Sequence, residues 1–124
     1  MSDTIYNWLK TFPGLELLQR EQVEEVPGGC GLHFCGVTVK DRSRDLLGNL
    51  RCRKQLRFRL RRFGERVESG VFFLLLGAWV EENAPILGIC QTACLKDARC
   101  IRDEDLGLSL WEADLEITYT EDSL

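Results

Sequence analysis

Two stretches of the chain alternate between apolar and polar positions, and their polar halves carry opposite charge. From Leu50 to Phe63, Cys52, Leu56, Phe58 and Leu60 alternate with Arg51, Arg53, Gln55, Arg57, Arg59 and Arg61, with Lys54 the exception on the apolar side. Successive side chains of a strand point to opposite faces, so this stretch predicts a strand with one apolar and one cationic face. From Trp111 to Tyr119, Trp111, Ala113, Leu115, Ile117 and Tyr119 alternate with Glu112, Asp114, Glu116 and Thr118, which predicts a strand with an anionic face. If the two strands are antiparallel neighbours, their outward residues form opposite-charge pairs worth roughly 0.2–1 kcal/mol each. If they are not neighbours, both stripes are open to other subunits.

Two segments carry helical periodicity. Ile5, Trp8, Leu9 and Phe12 share one face of an opening helix that Ser2 or Asp3 can cap and that Pro13-Gly14 ends. Beyond the break at Gly64, Glu65 to Asn83 predicts one long helix, with Val67, Val71, Leu74, Leu75, Ala78 and Trp79 assigned to its inward side. Phe72, Phe73 and Leu76 widen the apolar surface beyond one stripe, so the helix is either deeply buried against a sheet or also meets a second partner. Asn83-Ala84-Pro85 stops it, because proline cannot continue a helix.

The remaining pattern is weaker. Leu15 to Val26 mixes apolar and acidic residues and is taken as extended; Pro27-Gly28-Gly29 is a turn. Phe34, Gly36 and Thr38 then alternate with Cys35, Val37 and Val39 in a strand, and Asp41 to Asn49, with Ser43, Gly48 and Asn49, is expected to be a loop. Ile89 to Ile101 is strand-like with an interruption near Lys96-Asp97. Without regular strand–helix alternation, the expected class is α+β: an antiparallel sheet of about four to five strands packed against a central helix, plus a short N-terminal helix, as a single domain over residues 1–124.

Composition bounds the function. A chain of 124 residues that is 44% hydrophobic and 29% charged can bury a core but has no room for a second domain. Its longest strongly apolar run, Val71 to Val80, is about half the roughly 20 residues a membrane span needs, so a membrane location is not expected. The net charge of −4 conceals an asymmetry: eleven basic and three acidic residues lie between Lys40 and Arg66, against five basic and seventeen acidic elsewhere. Such segregation suggests a charged contact, within the chain or between subunits.

Candidate chemistry is sparse. Cys30, Cys35, Cys52, Cys90, Cys94 and Cys100 have no export signal before them and are expected as reduced thiols. Their spacing lacks the paired C-x2-C of zinc ribbons, and Cys52 and Cys94 fall on apolar strand positions, where thiols act as small hydrophobes. His33, the single histidine, shares a strand face with Cys35 but in parallel orientation, which does not make a nucleophile–base pair. Gly28-Gly29 and Gly31 lack the Lys-Ser/Thr ending and following helix of a phosphate loop. The expectation is therefore a protein that is not an enzyme, with no catalytic residue, cofactor or metal site. The cationic strand Arg51 to Arg62 leaves one alternative, a small nucleic-acid-binding module, although the acidic remainder of the chain would repel a polyanion.

The run Arg53-Lys54-Gln55-Leu56-Arg57-Phe58, then Gly64-Glu65, the helix ending Ala78-Trp79-Val80-Glu81-Glu82-Asn83, the turn Ala84-Pro85-Ile86-Leu87 and the closing Trp111 to Tyr119 together carry a resemblance. The chain resembles the minor capsid or tail-completion proteins of tailed phages and prophages of Gram-positive bacteria, in the tail-terminator group. The resemblance extends from Leu50 onward and includes the opening helix; the six cysteines and the glycine-rich Pro27 to Gly36 depart from it. It implies a structural protein of the virion, made in the bacterial host cytoplasm and acting in tail completion, termination or head–tail joining. The implied assembly is a ring of identical subunits, usually six, that meets the tail tube and the head connector. The charge pattern suggests which residues meet within or between subunits: Arg51, Arg53, Arg57, Arg59 and Arg61 against Glu112, Asp114 and Glu116.

Overall fold

The computed structural model of the chain describes residues 2–44, 46–48, 50–84 and 90–123. The elements are α1 (Ser2–Leu9), β1 (Gln19–Arg20), β2 (Gly29–Arg44), β3 (Leu50–Glu65), α2 (Arg66–Asn83), β4 (Cys90–Asp103) and β5 (Leu108–Ser123). All five strands join one sheet in the order β1-β2-β3-β5-β4, with α2 on one face and α1 beside it. This is the expected α+β class. The pairings β2/β3, β3/β5 and β5/β4 are antiparallel, and β1 adds a two-residue parallel pairing at one edge.

The two alternating stretches are neighbours. β3 and β5 pair without a register shift from Leu50↔Ser123 to Glu65↔Leu108, so their apolar halves coincide on the inner face and their charged halves on the outer one. Leu56, Phe58 and Leu60 of β3 meet Ile117, Leu115 and Ala113 of β5, all buried. Each large side chain removed from water in this way stabilises the fold by roughly 1.5–3 kcal/mol.

α1 begins at Ser2, so Asp3 lies in its first turn and pairs with Arg20. This pairing holds the Asp3 carboxyl below its ordinary range. The expected face is buried: Ile5 and Leu9 enter the core, while Trp8 stacks on Trp79 at 5.0 Å and Phe12 meets Phe72 and Trp79 edge-on. The following segment, expected to be extended, is mostly turns that bury Leu15 and Leu18, and only Gln19–Arg20 joins the sheet. Its backbone then crosses β2 so closely that a Cβ on Gly31 would sit 1.9 Å from the Gln22 carbonyl oxygen. The glycine-rich sequence there serves this crossing.

Two junctions differ from the sequence pattern. Asp41 to Arg44, expected in a loop, continues β2 and pairs with β3 as far as Arg44↔Leu50, which lengthens the hairpin; Asp45 and Asn49 lie outside the described residues. β3 runs through Gly64 to Glu65, and Glu65 serves as the N-cap of α2, accepting from the backbone N–H of Val67 and Glu68. These bonds hold the Glu65 carboxyl below its ordinary range. α2 ends at Asn83, as expected, although Pro85 itself and the expected strand start at Ile89 lie outside the described residues.

The largest correction concerns the rotation of α2. Its buried residues are Ser69, Phe73, Leu76 and Val80, whereas Val67, Val71, Leu74 and Leu75, assigned to the inward side, are exposed. The helix is apolar on nearly every side, so periodicity cannot select the core face. Arg62 anchors that choice. Its position in β3 puts it on the inner face, where the guanidinium donates to Ser69 Oγ at 2.8 Å and to Glu68 Oε1 at 2.6 Å and lies 4.5 Å from the Phe72 ring centre. A buried guanidinium requires partners, and in this rotation the first two turns of α2 supply them to both Nη atoms, while Nε is left without one.

Candidate functional site

The outer sheet face gathers the charges that the sequence separates. β5 lies between β3 and β4, so its acidic row has basic residues on both sides: Arg57↔Glu116, Arg59↔Asp114 and Arg61↔Glu112 across β3, and Lys96↔Asp114 and Arg99↔Glu112 across β4. Lys96 and Arg99 are three apart and would face opposite ways in a regular strand. The irregularity between them, with Asp97 at φ 57°, turns both outward. The interruption expected near Lys96-Asp97 is this bulge.

Glu112 is the centre of the cluster. Although on the outer face, it is only 6% exposed, because three guanidinium groups cover it. Arg61 Nε donates to Oε1 at 3.2 Å and Arg99 Nη2 to Oε2 at 2.9 Å, while Arg59 Nε makes an ion-pair contact with Oε1 at 2.8 Å. Asp114 lies 3.8 Å from Arg59 and 3.6 Å from Arg99. Glu116 pairs with Lys96, and this contact pushes the lysine amine above its ordinary value. Of the other residues proposed for contacts, Arg53 pairs with Asp41 at 2.9 Å, Arg51 lies in register with Asp122, and Arg57 is exposed beside Glu116. The structure therefore brings Arg59, Arg61, Glu112, Asp114 and Glu116 together within one chain. It adds Lys96 and Arg99, which the sequence pattern did not single out because the bulge hides their common face.

A groove of about 480 Å³ between the crossing segment and this face is lined by Glu21, Glu25, His33, Arg59, Arg61 and Arg102. Its basic side chains are engaged: His33 Nδ1 lies 2.6 Å from Glu21 whatever its charge, Arg102 pairs with Glu25 and Glu104, and Arg59 and Arg61 hold Glu112. An anionic ligand would have to displace carboxylates already in place.

Five of the six thiols belong to described side chains. Cys30 is buried, Cys35 exposed, and Cys52, Cys94 and Cys100 partly buried, all as free cysteines. Burial pushes the Cys30 thiol up to about 11 despite the nearby Arg62 guanidinium, so it packs as a neutral hydrophobe. Among the described residues no group of three or more His, Cys, Asp or Glu is placed to hold a metal ion, and no helix is long and apolar enough to cross a membrane.

Among the described residues, two apolar surfaces remain open. The first is the outer side of α2, opposite its core side, where Val67, Val71, Leu74 and Ala78 follow the four- and three-residue spacing of a helix-packing seam and Leu75 flanks them. Val67 is 71% and Leu74 75% exposed. The second is the far end of the inner sheet face. Cross-strand partners share a face, so Phe34↔Phe58, Val37↔Leu56 and Val39↔Lys54 place Phe34, Val37 and Val39 on the same side as the core. Yet Val37 is 53% exposed, because α1 and α2 cover only the other end. No protein-family model matches the chain, and no curated protein matches it either.

Proposed function

We propose that this chain is a structural, self-assembling subunit that is not an enzyme. It acts in the virion at the tail or head–tail interface, in tail completion, termination or head–tail joining, as a ring of identical copies. The observation that carries this reading is the outer side of α2: a continuous apolar seam on a rigid helix, directed away from a core that is already filled. A patch of this kind on a small protein marks a protein–protein contact. The charge arrangement supports the same reading over nucleic-acid binding. Arg53, Arg59 and Arg61 of β3 already pair with Asp41, Glu112 and Asp114 of the same chain, so the outer sheet face is closer to neutral than its arginine content suggests. The resemblance of Arg53 to Phe58, of the helix end at Trp79 and of the closing strand Trp111 to Tyr119 to tail-completion proteins supplies the biological setting.

Purified protein, examined by light scattering over a wide concentration range and by electron microscopy, tests this reading. Closed rings of several copies are the expected result. A monomer at every concentration overturns it.

A further inference from the structure

The two open apolar surfaces differ in shape: one is a helix seam, the other the uncovered end of a sheet face. Inside the chain, this same sheet face is covered elsewhere by the opposite side of the same helix. We propose that the outer side of α2 in one copy docks on the open end of the inner sheet face in the next, Val67, Val71 and Leu74 against Phe34, Val37 and Val39. The proposal rests on the assembly reading above and names the partner surface within it.

Charge and length select the direction. The helix seam passes from apolar residues to the exposed acids Glu81 and Glu82. The sheet face passes from Phe34, Val37 and Val39 to the exposed bases Arg42 and Arg44, which the pairings Arg42↔Cys52 and Arg44↔Leu50 place on the same side. Val67 and Glu81 are separated along the helix by about 21 Å at 1.5 Å per residue. Phe34 and Arg42 are separated along β2 by roughly 20–25 Å, allowing for its two bulges. A helix laid parallel to β2 therefore superposes apolar on apolar and acid on base. Reversing it puts Glu81 and Glu82 over Phe34, which leaves the carboxylates desolvated and unpaired.

Two different surfaces in contact form a heterologous interface, which repeats from copy to copy and closes into a ring when the rotation per step permits. A self-pairing of α2 across a two-fold axis would use only the helix seam and would stop at two copies.

The test uses Leu74→Glu, which disables the helix seam, and Val37→Glu, which disables the sheet end. Both residues are exposed, and circular dichroism confirms the fold of each variant. Each variant alone should lose assembly, with the apparent dissociation constant raised at least about tenfold. An equimolar mixture should recover a one-to-one dimer and nothing larger, because one intact seam and one intact sheet end remain. Glu81→Arg with Glu82→Arg should weaken assembly, and adding Arg42→Glu with Arg44→Glu should restore it. This charge exchange keeps the proposal testable if either glutamate variant fails to fold. Assembly that survives Val37→Glu but not Leu74→Glu, or a mixture that stays monomeric, overturns the contact while leaving the assembly reading standing. A wild-type chain that never assembles overturns both.

Discussion

The two sides of α2 have similar apolar character and opposite fates. Phe73, Leu76 and Val80 are no more than 2% exposed against the sheet, whereas Val67, Val71, Leu74 and Leu75 on the other side are at least half exposed. The inner side even contains a serine, while the outer one is apolar over nearly three turns. The difference shows that hydrophobicity decided that this helix would be buried somewhere, but not which side would face this chain's own sheet. A polar group made that choice: Arg62, which also lies against the Phe72 ring, needs Ser69 and Glu68 and so turns the other side to solvent.

The contrast can be broken most severely from inside. Phe73→Ala should cost about 3–5 kcal/mol of folding stability, as a large ring is removed from a filled core, measured by urea unfolding. Arg62→Met should come next, at roughly 1–3 kcal/mol, because the fully buried Ser69 hydroxyl loses its donor while the exposed Glu68 returns to water. A loss as small as that of a surface substitution would show that Arg62 does not set the rotation. Leu74→Lys, on the outer side, should change the stability of the monomer by no more than about 0.5 kcal/mol while lowering its oligomeric mass. The smallest effect should come from Glu65→Gln at the helix start. The folded carboxyl of Glu65 lies below its ordinary value of 4.5, so its contribution is fully present above that value and is lost as pH falls through the lower folded value. The urea midpoint of the wild type should therefore fall more steeply than that of Glu65→Gln below about pH 4.5.

Much of the architecture was visible in the sequence because it follows from spacing along one element. The period-2 stretches became β3 and β5 in the expected sense, and their opposite charges became cross-strand pairs. The interruption near Lys96-Asp97 became a bulge, and Ile5, Trp8 and Leu9 share one side of α1, with Phe12 in the turn just beyond its end. The failures have physical causes too. Asp41 to Arg44 carries no apolar alternation because both sides of that hairpin end are open to solvent, so a loop and a strand look alike there. Lys96 and Arg99 are related only through the bulge, which changes the parity of the strand between them. Glu112 was assigned to an open charged stripe, yet three guanidinium groups from two flanking strands bury it.

Alternation, helical spacing and charge order are properties of the chain alone, and they determine its class, its sheet-forming segments and the fact that two charged rows exist. Strand order put the acidic row between two basic sources and so turned separated charges into a matched surface. The rotation of α2 and the extent of sheet it covers were settled only by packing, through partners distant in sequence: a buried arginine needing hydrogen bonds, aromatic rings meeting across two helices, and a sheet longer than the helices above it. A helix that is apolar nearly all round holds no record of which side its neighbours will take.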